Sequence, residues 1–329
     1  MNAGDSIVVA QDQTKVPFMP NQLKLNHPWL VAVWPGMGNV AINAGYYLLA
    51  GLEMELVAEL EARELFDIDH IEVDHGLLKV SRRPRNRFFL WRDPDAKHDL
   101  VVFIGEAQPP VGRSAFCGRL IDYAKQLGVE RVITFAAMAT LMQPQHESRV
   151  FGATTDEQFL GELRQLELEL LEAGNISGLN GVLPGVAAEA GLQGTCLLGE
   201  MPHIFVQLPF PKASLAVLEA FSTIAGIEVD LSELKKQVAT ADRRLGELLE
   251  ELEHAMRQHA PVPEEEFLPA TTTDDELPLA PQDIDRIESL FAEAAADRSR
   301  AYELKAKLDR LDVFDDYEDR FLDLFSKRE

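Results

Sequence analysis

The sequence predicts an α/β fold with a helical C-terminal extension, on three observations. Short continuous apolar runs at residues 30–34 (LVAVW), 99–105 (DLVVFIG) and 131–137 (RVITFAA) read as strands covered on both faces. The first two pass through a short loop into a helical stretch, the repeating unit of a parallel sheet. From Leu231 the apolar spacing changes to alternating threes and fours, which is helical packing on a heptad period.

Residues 1–27 are polar, carry Pro17 and Pro20, and are expected to form a flexible leader. Residues 28–230 are the expected core domain. After its first strand, Pro35, Gly36 and Gly38 break the run, because glycine permits close backbone approach. Asn39 is placed to cap a helix on which Val40, Asn43, Ala44, Tyr47 and Leu48 recur at helical spacing. The loop reads first as a tight turn that lets the helix pack on the strand; it also lies where open parallel sheets hold ligands, and its amides could receive an anion. It is not a dinucleotide or phosphate loop, because a third glycine and a Gly-Lys-Ser/Thr are both missing.

Residues 56–60 read as a second strand. Residues 66–80 read as another, with Ile71 and Val73 on one side and His70, Glu72 and Asp74 on the other. Residues 87–91 are its expected hairpin partner, and Arg82, Arg83, Arg85 and Arg87 fall in the turn. His70, Glu72, Asp74 and His75 are metal-ligand types without metal-ligand spacing, so a solvated face and no metal are expected. The arginines read as solvated turn charges, or as forks for a phosphate or carboxylate.

Glu106 and Gln108 follow the strand at 99–105, where side chains reach ligands in α/β folds. Glu106 is a candidate general acid/base, and Gln108 a candidate for orienting substrate or water. Glu106 can also cap the next helix or pair with an arginine. A helix is expected over 112–127. Met138, beyond the third strand, joins Gly36, Gly38 and Asn39 as a candidate ligand-binding residue. A short strand at 150–152, a helix from Asp156 to about 173, and a strand or turn at 176–179 come next. A helix opened by Gly181 and Pro184, a strand at 195–198, a Pro-rich loop at 202–211 and a helix at 213–225 complete the domain.

Residues 231–258 form a long heptad helix with Leu231, Leu234, Val238, Ala241, Leu245, Leu248, Leu252 and Ala255 on one stripe, packed within or between chains as a coiled coil. Residues 259–282 are an acidic Pro/Thr linker. Residues 283–329 return to helical patterning. Phe314, Tyr317, Phe321, Leu324 and Phe325 give the last segment an apolar side that folds back on the body or enters a partner's groove. Leu245, Leu248, Leu252, Phe321 and Phe325 are the candidate interface residues.

The 329 residues are 46% hydrophobic, enough for a sizeable core. A net charge of -24 excludes nonspecific binding to nucleic acid or to an anionic membrane. Cys117 and Cys196 are too few and too distant for a disulfide framework or a zinc site, and are expected as buried thiols. The first residues carry no secretory signal and no run reaches spanning length, so a cytoplasmic location is expected. No nucleophile elbow or phosphate loop is present, and no cofactor is expected. The residues alone leave two readings: an interaction protein, or a small-molecule enzyme with a pocket at the strand ends.

The order of motifs resembles the proteasome assembly chaperone 2 family. The matching pieces are WPGMGNVAINAGYYL (34–48), VVFIGEAQP (101–109), VITFAAM (132–138), GLNG (178–181) running on through LPGVAAEAGLQGTCLLGEMP (183–202), and PFPKASLAVLEAFSTIAGIEVDLSEL (209–234). The resemblance covers roughly residues 28–258. It implies a three-layer α/β/α sandwich similar to purine nucleoside phosphorylases. It also implies a homo-oligomeric assembly protein with a proteasome-like complex as partner, leaning away from catalysis. The alternative it implies is a hydrolase- or carboxylate-amine-ligase-like enzyme. Some archaeal members end in a hydrophobic-Tyr-any tripeptide; this chain has Lys327, Arg328 and Glu329 there.

Overall fold

The computed structural model describes residues 24–66, 71–74, 76–80, 82–166, 168–258, 279–311 and 313–326. The chain runs β1 (Trp29–Val33), α1 (Val40–Gly51), β2 (Glu55–Glu59), β3 (Ile71–Asp74), β4 (Leu77–Val80), β5 (Asn86–Trp91), β6 (Leu100–Gly105) and α2 (Arg113–Gln126). It continues β7 (Arg131–Thr140), β8 (Val150–Thr154), α3 (Glu157–Gln165), β9 (Glu169–Leu170), α4 (Leu179–Glu189), β10 (Gln193–Pro202) and α5 (Pro211–Ala225). It closes with α6 (Ser232–Gln258), α7 (Pro281–Ala296), α8 (Ala301–Leu311) and α9 (Phe314–Asp323).

Eight strands make one mixed sheet in the order β2-β5-β6-β1-β7-β10-β8-β9. The central β6, β1, β7 and β10 are parallel, flanked by antiparallel β5 and β8. Every residue of β1 and β6 is buried, which is why both are continuous apolar runs in the sequence. Alternate residues serve opposite faces. Val31, Val33, Val102 and Ile104 face α1 and α5, while Leu30, Ala32, Val101 and Phe103 face α2 and α4. The result is a three-layer α/β/α arrangement. Cys117 and Cys196 are buried and free, and burial pushes their thiols up to about 11 and about 12.

Three expectations are corrected. The 66–80 segment does not pair with residues 87–91: β3 pairs with β4 in a separate hairpin, and β5 lies in the main sheet between β2 and β6. The cause is β5's run RFFLW, whose residues through Leu90 are buried and need a covered position. Arg87 therefore opens a buried strand, not a solvated turn. The helix from Asp156 stops at Gln165, and Glu169–Leu170 adds to β8 instead. His70 and His75 lie outside the described residues, as do the side chains of Glu72 and Asp74.

The C-terminal helices complete the core. The α6 helix runs back along α5, held by Lys235 to Glu219 at 2.9 Å and Lys212 to Asp242 at 2.8 Å. Leu234 and Leu245 bury within the chain, while the side chains of Leu248 and Leu252 lie outside the described residues. Ile287, Leu290, Phe291, Leu304, Leu308 and Phe314 join the cluster built on α1 and α5. Phe321 and Phe325, the candidate interface residues of the last segment, are fully buried within this chain, where the segment folds back on the body. Phe325 meets Phe89 edge-on at 6.2 Å, and its carbonyl accepts from Leu56 N at 2.6 Å. Lys305 ties α8 to α1: its Nζ lies 3.8 Å from the Phe314 ring, donates to Asn43 Oδ1 at 3.1 Å and pairs with Asp309.

Candidate functional site

All four parallel strands deliver their loops to one end of the sheet. Over β1 and β6 that end is a crevice between loops leaving for opposite faces, the usual ligand position in open α/β sheets. Gln108 fills it. Its Nε2 donates to Pro35 O at 2.9 Å, and its Oε1 accepts from Leu179 N at 3.0 Å. The amide thus joins the β1 and β6 loops to the start of α4, with little capacity left for a substrate. Gly178, just before α4, has φ +74, and a Cβ there would stand 3.0 Å from Gln108 Oε1.

The glycine loop is also spoken for. Gly38 is buried at φ +61, where a Cβ would meet Met201 Sδ at 2.8 Å. Its N donates to Val206 O at 3.0 Å, its O accepts from Phe210 N at 2.9 Å, and Asn39 N donates to Gly36 O at 3.0 Å. Two of the amides expected to receive an anion are therefore occupied by backbone. Asn39 precedes α1 at φ 50 and makes no side-chain cap, contrary to expectation. Gly36 and Asn39 are exposed. Met138 is half-buried against Ala136, Phe151, Cys196 and Leu198, toward β10 and β8. The six candidates share one end of the sheet without converging on a common cavity.

Glu106 lies over β5 and β6, and it is covered. Its Oε2 accepts from Arg85 N at 2.8 Å and ion-pairs with Arg82 at 3.0 Å; its Oε1 lies 3.3 Å from Arg87 Nη2. Burial pushes the carboxyl above its usual range, against the pull of Arg87. The lid is α9. Asp319 pairs with Arg87 and with Arg82 at 2.7 Å, and Asp323 reaches Arg85 at 3.4 Å. Arg85 also forks onto Glu59 at 3.1 Å. The arginines do capture carboxylates, and these belong to the same chain. Beside them Glu318 bonds Tyr46 of α1, and burial pushes its carboxyl up to about 7.

Sequence reasoning missed Glu318, Asp319, Asp323 and Tyr46. The available signal was the spacing of Asp315, Asp319 and Asp323, one acidic stripe beside the Phe314–Phe321 side of a helix. A cleft of about 610 Å³ also went unforeseen. It lies between the loop carrying Leu208 and helices α6, α7 and α8, and takes in Leu245. Much of its charge is neutralised in place, by Lys236 to Glu233, Lys307 to Asp283 at 2.5 Å and Arg286 to Glu293 at 3.1 Å. Among the described residues no His, Cys, Asp and Glu cluster could hold a metal, and no helix is long and apolar enough to cross a membrane.

Comparison with known proteins adds a family and a fold. The model of the PAC2 family matches residues 30–249. Pyrococcus furiosus PbaB, an archaeal proteasome activator, has a similar structure with a TM-score of 0.60 at 26% identity, covering 69% of this chain and 95% of PbaB. Pyrococcus furiosus PbaA, an archaeal homolog of proteasome-assembly chaperone, has a TM-score of 0.55 at 26% identity, covering 72% of this chain and 93% of PbaA. An uncharacterised protein of Methanocaldococcus jannaschii is 26% identical over 216 residues, which is 65% of this chain and 80% of that protein.

Proposed function

We propose that this chain, which belongs to the PAC2 family, acts as a proteasome-assembly-chaperone-like protein: a cytoplasmic, non-enzymatic homo-oligomer that holds other proteins during assembly. A proteasome-like complex is the expected partner, by analogy with the two Pyrococcus proteins. The observation that carries the reading is the state of Glu106. An acid/base group must reach its substrate, and here the carboxyl is held by arginines under α9. The enzyme alternative asks for that side chain to be free. Fold alone decides neither reading.

The test adds purified full-length protein, wild type or Glu106→Gln, to separately expressed proteasome core subunits from the same source. Ring assembly is followed by native gel and by gain of peptidase activity. Faster assembly with both proteins is expected. Assembly at the unassisted rate would overturn the reading, and acceleration lost only in Glu106→Gln would return attention to chemistry at that carboxyl.

A further inference from the structure

The loops leaving β1, β6, β7 and β10 share a property that none of their motifs displays alone. Most of their length, residues 34–39 (WPGMGN), 107–112 (AQPPVG), 141–146 (LMQPQH) and 203–210 (HIFVQLPF), contains no Asp, Glu, Lys or Arg, in a chain that is 26% charged; the exceptions are Glu106, held by arginines at the start of the β6 loop, and Glu147 and Arg149 at the end of the β7 loop, where Arg149 pairs with Glu169 and Glu200. Because those strands are parallel, the four loops share one end of the sheet. They are also apolar where they meet water: Met37, Val111, Leu141, Ile204 and Leu208 are 40% to 86% exposed.

The β3–β4 hairpin rises from the same end, because it joins the end of β2 to the start of β5, and β5 is antiparallel to both β2 and β6. It pairs with no strand of the main sheet. Ile71, Val73 and Leu78 lie on one of its faces, each more than half exposed. A two-stranded hairpin is marginal in water unless something packs on it. Among the described residues, Leu166 and Ile284 are the only large exposed apolar side chains not in these loops or this hairpin. Exposed apolar side chains gathered at one end of a fold point to an interaction site, and interface cores are depleted of charge.

We propose that the charge-poor loops at this end of the sheet, with the β3–β4 hairpin as an arm, form the surface through which two copies of the chain meet. The proposal rests on the homo-oligomeric part of the reading above. The occupant follows from charge. Two chains of net charge -24 repel each other, and a charge-poor face lets them touch while burying few like charges. A partner chosen for its basic surface would need a cluster of acids here, and the four loops expose one, Glu147.

Sedimentation velocity on the full-length protein tests this, with Leu141→Lys/Ile204→Lys against a control, Leu166→Lys/Ile284→Lys, whose positions are exposed elsewhere. Wild type and control should sediment as oligomers. The Leu141/Ile204 variant should associate at least tenfold more weakly, with an unchanged urea midpoint. Raising salt from 0.15 to 1 M should strengthen wild-type association by screening the repulsion. A Leu141/Ile204 variant of wild-type mass, or dissociation in high salt, would overturn the proposal and leave the oligomeric reading standing. A monomeric wild type would overturn both.

Discussion

The carboxyl end of the sheet is closed over β5 and the start of the β6 loop at Glu106, and open over the rest of that loop and over β1, β7 and β10. The closed part concentrates charge: Arg82, Arg85 and Arg87 meet Glu59, Glu106, Asp319 and Asp323 beneath α9. The open part has loops with few charged residues, Glu147 and Arg149, and apolar side chains in water. Both occupy the position where α/β folds place ligands. The difference teaches that an ionisable side chain at a strand end can be fastening a helix, while the exposed apolar surface beside it carries little ionisable signal.

Breaking the closed part should have the largest effect. Arg87→Ala removes the buried cation that Glu106 and Asp319 share, leaving the buried Glu106 carboxyl to the half-exposed Arg82, and should cost about 3–5 kcal/mol of unfolding free energy in urea. A loss below 1 kcal/mol would mean α9 is not fastened there. The same logic extends to the tail. Cutting away residues 283–329 would strip Phe291, Leu304, Phe321 and Phe325 from the core, so truncation is expected to unfold the protein and not merely to weaken association.

The pH dependence sharpens the comparison next. Glu318 titrates at about 7 when buried, against a usual 4.5, and it faces Tyr46, Glu106, Asp315 and Arg87. A raised folded value means that its contribution is fully present below about pH 4.5 and is lost as pH rises through about 7. The span corresponds to about 3 kcal/mol. Stability measured from pH 4.5 to 8 should fall, and Glu318→Gln should flatten that slope. An unchanged slope in the variant would contradict the burial of this carboxyl.

In the open part, Gln108→Ala should cost about 1–3 kcal/mol by leaving Leu179 N and Pro35 O unpaired. Faster hydrogen exchange at Leu179 is the readout, and wild-type protection there would refute the bridge. The smallest effect is expected of Gly38→Ala. It forces a side chain into φ +61, at about 1–2 kcal/mol, although the Met201 terminus it would crowd can move. A stabilised variant would contradict that backbone geometry.

Much of this fold was legible. β1, β6 and β7 showed because strands buried on both faces must be continuously apolar, and the heptad stripe of α6 because one helix face packs on α5. The placement of β5 was not, because RFFLW fits a hairpin strand as well as an inner one. The role of Glu106 was half legible. Pairing with an arginine was among its readings, but Asp319 lies 232 residues from Arg87, and local periodicity carries no record of such a contact. The open surface could have been seen by comparing the four loops with the 26% charged average, a comparison across separate motifs and not within any one.

The most direct test of this division is hydrogen exchange on the full-length protein over a dilution series spanning its association. Residues 107–112, 141–146 and 203–208 should gain protection as concentration rises, while residues 85–89 and 314–325 stay equally protected throughout. Protection that grows over 314–325 and leaves the uncharged loops unchanged would contradict the account, placing the contact between copies on the α9 side of the sheet.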